Sequence, residues 1–166
     1  MADSSYKIGI LTLSDKGACG HREDKSGTLL ADLVAELGSV SRYQIIADDF
    51  DKIVMVLKSW IDDLCLDIIL TTGGTGLSPR DVTPQATAEI LDYQIPGMAE
   101  AMRIASMQKT SRAMLSRALV GVRKQTLIIN LPGSPKAVRE NIEVLLPVLP
   151  HALEKLQGDP TDCAVE

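Results

Sequence analysis

Residues 67–91 read DIILTTGGTGLSPRDVTPQATAEIL, and they contain a strand, a loop and a helix in that order. Residues 67–72 (DIILTT) form a short apolar run ending in small polar residues, the pattern of a strand buried on both faces. Residues 73–83 hold three glycines and the turn pair Ser78-Pro79 and cannot continue a strand. Thr83-Pro84 then reads as a cap followed by proline at the first helical position, so a helix is expected over 84–91.

The same alternation extends in both directions. Residues 7–14 (KIGILTLS) predict a first strand and 15–25 a polar loop. Ser26 reads as the cap of a helix whose apolar positions Leu29, Leu30, Leu33, Val34 and Leu37 fall three and four apart, with Gly38 as its stop. Residues 43–47 (YQIIA) predict a second strand, and Ile53, Val56, Leu57, Trp60, Ile61 and Leu64 have helical spacing. Downstream, a helix is expected over 96–107, a hairpin from 119–123 and 126–131, and a helix capped by Ser134 that restarts at Pro147 and Pro150. Residues 158–166 are expected to fray. Strands alternating with helices predict a three-layer α/β/α sandwich around a mostly parallel sheet, with one antiparallel edge strand supplied by the hairpin. The 166 residues suit a single domain, 1–166, with its core over about 7–157.

Composition narrows the function. Hydrophobic residues make up 45% and only five residues are aromatic, so the core is aliphatic and base-stacking platforms are not expected. The formal net charge of -5 argues against nucleic acid as a partner. No run of 18 apolar residues suggests a membrane span, and MADSSYK at the start lacks a secretory signal's apolar stretch. Cys19, Cys65 and Cys163 are odd in number and widely spaced, which fits a reduced, cytoplasmic protein.

In an open parallel sheet, ligands bind beyond the carboxyl ends of the strands. The four ends carry Ser14-Asp15, Asp48-Asp49, Gly73-Gly74-Thr75-Gly76 and Pro132-Gly133-Ser134. The glycine loop lets main-chain amides approach an anion. It is neither a P-loop, since no Gly-Lys-Ser/Thr closes it, nor a GxGxxG fingerprint. Asp48 and Asp81 could serve Mg²⁺ beside phosphate oxygens. By position alone Asp48 could equally cap a helix and Asp81 could brace a turn. Lys136 and the arginines at 80, 103, 112, 117 and 123 are candidate phosphate contacts. Valine at Gly74 or Gly76 is expected to obstruct a ligand while leaving the fold intact.

TTGGTGLSPRDVTPQAT (71–87) closely resembles the signature of the molybdenum cofactor biosynthesis family, which includes molybdopterin adenylyltransferases of the MogA type, MoaB proteins and the G domains of gephyrin-type proteins. ILTLSDKGACG (10–20), IADDF (46–50), IPGMAEAMR (95–103) and LSRALVGVRKQTLIINLPGSPKAV (115–138) match in order and spacing. The resemblance implies a homotrimer that uses Mg²⁺ and ATP to adenylylate molybdopterin with release of pyrophosphate. It implies that Asp48 and Asp81 are the catalytic acids and Mg²⁺ ligands. Gly73, Gly74, Thr75, Gly76, Pro132, Gly133 and Ser134 would line the nucleotide and phosphate region, and Ser14 and Asp15 the pterin side. Ser116 and Arg117 match positions near the pocket. A binding module that holds molybdopterin or a partner without catalysis is the alternative. Met98, Met102 and Met107 are candidates for the subunit interface.

Overall fold

The computed structural model describes residues 6–160. Six strands form one sheet: β1 (Tyr6–Leu13), β2 (Gly38–Ile46), β3 (Ile68–Thr72), β4 (Tyr93–Gln94), β5 (Val120–Arg123) and β6 (Thr126–Leu131). Their order is β2-β1-β3-β6-β5-β4. The first four in space are parallel, while β5 is antiparallel to β6 and β4 to β5. The helices are α1 (Asp15–Ala18), α2 (Lys25–Leu33), α3 (Phe50–Asp62), α4 (Thr83–Ile90), α5 (Pro96–Met107), α6 (Pro135–Leu145) and α7 (Leu149–Leu156), with a 3₁₀ turn at Ser111–Leu115.

Strand alternation feeds two cores. Ile8, Ile10, Ile68, Leu70, Leu127 and Ile129 pack with α2, α5, α6 and α7. Leu11, Leu13, Ile69 and Ile128 pack on the other face with α3 and α4. On α3, Ile53, Leu57 and Ile61 are buried. Each contributes roughly 1.5–3 kcal/mol by leaving water. That exceeds the few tenths that a β-branched residue costs a helix, so packing decides the element. The expected three layers are present.

Several boundaries differ from expectation. β2 begins at Gly38, which opens a strand instead of stopping a helix. It is an edge strand with a largely exposed sequence, GSVSRYQII, so it carries little apolar signal. The antiparallel edge is β4, two exposed residues that pair with β5; the hairpin strand β5 lies one place inside it. α1 lies within the expected polar loop. Asp24, not Ser26, caps α2 by accepting from the Gly27 N–H at 2.9 Å. Thr83 does not cap α4: its Oγ1 donates to the Gly73 carbonyl at 3.0 Å. Met98 and Met102 are core residues; of the three methionines proposed for an interface only Met107 is exposed. Residues 161–166, most of the expected frayed tail, and Cys163 with them, lie outside the described residues.

Candidate active site

The carboxyl ends of β1, β2, β3 and β6 open onto a cleft of about 800 Å³. Ser14, Asp15, Asp48, Gly73, Gly74, Asp81, Gly133 and Ser134 all line it. The first turns of α1, α2 and α6 complete its wall. Ser14 Oγ caps α1 by accepting from Gly17 N–H at 3.0 Å, and Ser134 Oγ caps α6 by accepting from Ala137 N–H at 3.3 Å. Ser26 Oγ and Thr72 Oγ1 donate at 2.7 Å to the Gly133 and Pro132 carbonyls, which fixes that loop against α2 and β3. Lys16, Arg22 and Lys25 are basic residues on the wall that the sequence reading did not select. Residues 15–25 hold three basic and three acidic residues, so the charge balance of the segment gave no signal for them. Lys136, considered for that role, is exposed and does not line the cleft. Asp24 lies there too, but its carboxylate is taken by Gly27 N–H and the hydroxyls of Thr12 and Tyr43.

The glycine loop closes on itself. Gly73 and Gly74 have φ of +100° and +66°, a region that L side chains rarely adopt. A Cβ at Gly73 would strike the Leu13 carbonyl, and one at Gly74 would strike Thr83 Oγ1. Valine at Gly74 would therefore disturb the fold itself, contrary to the expectation from sequence. Thr83 N–H donates to the Gly74 carbonyl at 3.2 Å, so the loop's base is pinned at both ends. At its tip Asp81 Oδ2 accepts from Ser78 N–H at 3.1 Å, and Asp81 N–H donates to the Ser78 carbonyl at 2.9 Å. Asp81 thus braces the turn and also faces the cleft.

Asp48 is held differently. Its Oδ2 accepts from Asp15 N–H at 3.3 Å, while its Oδ1 is buried without any hydrogen-bond partner. Burial raises its pKa, the neighbouring Asp15 charge raises it further, and Asp81 adds a smaller push in the same direction. Asp15 itself is held below the ordinary carboxylate range by hydrogen bonds from Arg80, whose Nε and Nη2 lie 3.0 and 2.7 Å from its oxygens. Both side chains of that pair are well exposed, so solvent weakens it. Arg80 is committed to Asp15 and not to the cleft.

A buried, unpartnered carboxylate oxygen pressed by two other acids suits a cation. Among the described residues no group of three or more His, Cys, Asp or Glu side chains forms a cage. Mg²⁺ commonly takes one or two carboxylates and completes its shell with water and substrate phosphates. Asp48 and Asp81 therefore fit a cation that arrives with a nucleotide.

The remaining selected residues do not line that cleft. Thr75, Gly76, Pro132 and Ser116 line a second cavity of about 270 Å³, walled also by Met102, Arg103, Arg112 and Ala113. Arg117 lines neither recess; its guanidinium meets main-chain carbonyls of the loop. Arg123 pairs with Asp62 at 2.8 Å, and Lys124 with the same acid.

A family model described as "Probable molybdopterin binding domain" matches residues 9–151. The chain belongs to this family. The matched span of the molybdopterin-binding domain takes in all four strand ends around the cleft and the whole glycine loop. Molybdopterin adenylyltransferase from Helicobacter pylori is 39% identical over 155 residues, which cover 92% of this chain and 88% of that protein. Gephyrin from Dictyostelium discoideum is 37% identical over 95% of this chain and 23% of its own length. Among solved structures, the molybdopterin biosynthesis enzyme MoaB from Thermus thermophilus superposes with a TM-score of 0.88 at 49% identity, covering 95% of this chain and 99% of that one.

Proposed function

We propose that this molybdopterin-binding domain is a molybdopterin adenylyltransferase: it transfers AMP from ATP to the terminal phosphate of molybdopterin and releases pyrophosphate. The observation that carries the reading is Asp48 Oδ1, buried and unpartnered in the cleft beside the glycine loop. The adenylyltransferase name of relatives that match nearly the full chain supports it.

A phosphate oxygen of molybdopterin attacks the α-phosphorus of ATP, and the bond from that phosphorus to the pyrophosphate oxygen breaks. The attacking oxygen is already anionic, so the chain needs no general base or covalent nucleophile. Its task is to bring several anions together and hold them in line. Gly73 and Gly74 let main chain approach the phosphates, the first turns of α2 and α6 add partial positive charge, and Lys16, Arg22 and Lys25 add full charge. Asp48 and Asp81 would hold Mg²⁺, which supplies neutralisation of phosphate charge when bound. Ser14 and Asp15 lie on the pterin side, with Gly133 and Ser134 at the phosphates. The nucleotide base extends past Thr75, Gly76, Pro132 and Ser116 into the second cavity. Ala113→Phe, which fills that cavity, then weakens ATP binding and spares molybdopterin.

The working assembly is a homotrimer in the cytoplasm. Exposed Ile104 and Met107 on α5, and Met114 and Leu115 on the adjoining 3₁₀ turn, offer apolar surface for it. Among the described residues no helix is long and apolar enough to cross a membrane. A monomer mass in sedimentation at micromolar concentration would refute the assembly.

The deciding experiment incubates the protein with molybdopterin and Mg-ATP and follows adenylylated molybdopterin and pyrophosphate. Equal amounts of both support the enzyme. Molybdopterin binding without product would make the chain a binding module.

A further inference from the structure

We infer that Arg117 is a positioning residue that sets the Asp81 carboxylate against Asp48, and that it acts from behind the glycine loop without touching substrate. The inference rests on the adenylyltransferase reading for the purpose of the two acids, and on geometry for the role of Arg117.

Residues 77–80, at the tip of the loop, are exposed. The bonds between Ser78 and Asp81 tie the tip to itself, and those from Thr83 to Gly73 and Gly74 tie the base to itself. Neither set fixes the tip relative to the base. The well-exposed Arg80–Asp15 pair ties the tip to α1, and Arg117 joins it to the base. Its N–H donates to the Thr75 carbonyl at 3.0 Å, its Nε to the Gly76 carbonyl at 2.8 Å and its Nη2 to the Asp81 carbonyl at 2.6 Å. One side chain thus bridges the outgoing limb of the loop at residue 76 and the returning limb at residue 81.

The bridge stands on a rigid base. Arg103 Nη1 donates to the Ala118 carbonyl at 2.8 Å, and Asn130 N–H donates to the Leu119 carbonyl at 3.0 Å, so the residues after Arg117 are fastened to α5 and β6. Among the described residues no carboxylate forms an ion pair with Arg117. Its charge is spent on carbonyls, and the planar fork reaches two of them at once. A lysine ammonium keeps the charge but is a point donor on a flexible stem, so it cannot hold both limbs at the same spacing.

The test compares Arg117→Lys and Arg117→Gln with wild type, each alone and combined with Asp81→Asn. Circular dichroism and thermal melting check the fold. Binding of Mn²⁺-ATP is read by the electron paramagnetic resonance of free Mn²⁺, and molybdopterin binding by fluorescence. The Mg²⁺ concentration for half-maximal product formation is the third readout. Both single variants should fold and bind molybdopterin as wild type does, yet bind Mn²⁺-ATP at least about tenfold more weakly and need correspondingly more Mg²⁺. In the Asp81→Asn background Arg117→Lys should add little, because the arginine acts through that acid. Wild-type Mn²⁺-ATP affinity in Arg117→Lys would overturn the proposal in favour of charge alone. Parallel loss of molybdopterin binding, full additivity with Asp81→Asn, or failure of both variants to fold would overturn it in favour of general stability. Absence of product from wild type would refute the adenylyltransferase reading, while the Mn²⁺-ATP comparison would still decide the role of Arg117.

Discussion

Asp15 and Asp48 exchange main-chain to carboxylate hydrogen bonds across the ends of β1 and β2: Asp15 N–H donates to Asp48 Oδ2 at 3.3 Å, and Asp48 N–H donates to Asp15 Oδ1 at 3.1 Å. The exchange draws two acids together in spite of their charges. Arg80 relieves one side of that repulsion by pairing with Asp15. Asp48 has no such pair, only a weaker pull from the Arg80 charge, and keeps one oxygen unpartnered. A structural staple alone would need only one oxygen of each acid, and Asp48 Oδ1 takes no part in it.

The first prediction concerns pH. Holding a cation requires ionised Asp48, whose pKa is raised first by burial and then by Asp15. kcat/KM should therefore fall on the acid side at a pH above the ordinary carboxylate value of about 3.9. Asp15→Asn keeps an acceptor for Asp48 N–H but removes the neighbouring charge, so it should move the acid limb to lower pH. Arg80→Gln removes a positive charge that favours ionised Asp48, so it should move the limb to higher pH. Profiles of kcat/KM from acid to neutral pH check both directions. Shifts of the same sign in the two variants would contradict the scheme.

The same shift bears on stability. A carboxyl with a raised folded-state pKa binds protons better in the folded chain than in the unfolded one. Stability then declines as pH rises from the unfolded pKa through the folded pKa, and the cost is complete above it. Asp48→Asn removes that charge and can still accept from Asp15 N–H. It should raise the melting temperature at neutral pH, where each kcal/mol is worth roughly 2–4 °C in a chain of this size. The gain should fade at a pH below the unfolded carboxylate value. Product formation should be lost at the same time, so stability and activity move in opposite directions. Melting curves at acid and neutral pH decide it.

The sequence disclosed the parts of this fold that are apolar and continuous. β1, β3 and β6 sit inside the sheet, so all their side chains except that of Lys7 are buried and their runs stand out. β2 was half visible because only its last residues turn into the core. β4 has two exposed residues and no pattern at all. Thr83 looked like a cap because threonine before proline usually is one; here a tighter demand, bonding the Gly73 carbonyl across the loop, takes the hydroxyl. The strand-end rule placed Ser14, Asp15, Asp48 and Gly133 around one cleft. The role of Arg117 had no local signature, since its side-chain partners are carbonyls 41 and 36 residues away.

Two glycines separate backbone strain from obstruction of the site. Gly74 has positive φ and no room for a Cβ beside Thr83 Oγ1. Gly74→Ala should fold poorly, losing about 1 kcal/mol or more from φ alone and further stability from the clash. Gly76 has no such φ, and a Cβ there would lie 2.8 Å from Asp81 Oδ2, the movable end of a side chain. Gly76→Ala should melt near wild type while the Asp81 carboxylate is pushed aside and activity falls at least about tenfold, which is roughly 1.4 kcal/mol of transition-state stabilisation. Melting temperature and turnover measured together distinguish the two. A Gly76→Ala protein as active as wild type would show that the position of the Asp81 carboxylate does not matter.

Asp81 gives the sharpest contrast between a turn residue and a catalytic one. Its Oδ2 accepts from Ser78 N–H and its own N–H reaches the Ser78 carbonyl, and both bonds are available to asparagine. If bracing the turn were its whole role, Asp81→Asn would change stability by no more than about 1 kcal/mol and leave turnover near wild type. If Asp81 holds Mg²⁺ at the phosphates, the amide keeps the turn but loses the negative charge, and adenylylation should fall by two or more factors of ten, each worth roughly 1.4 kcal/mol. Molybdopterin binding should persist, because Ser14 and Asp15 lie at the other strand ends. Asp48→Asn should show the same loss of turnover with retained pterin binding. If the two acids serve one cation, the double variant should be less impaired than the product of the single losses predicts. Raising Mg²⁺ should partly restore either single variant and not the double. The measurements are product formation across a Mg²⁺ titration and molybdopterin binding for each protein, with circular dichroism to confirm folding. A folded Asp81→Asn protein with wild-type turnover would return this residue to the turn.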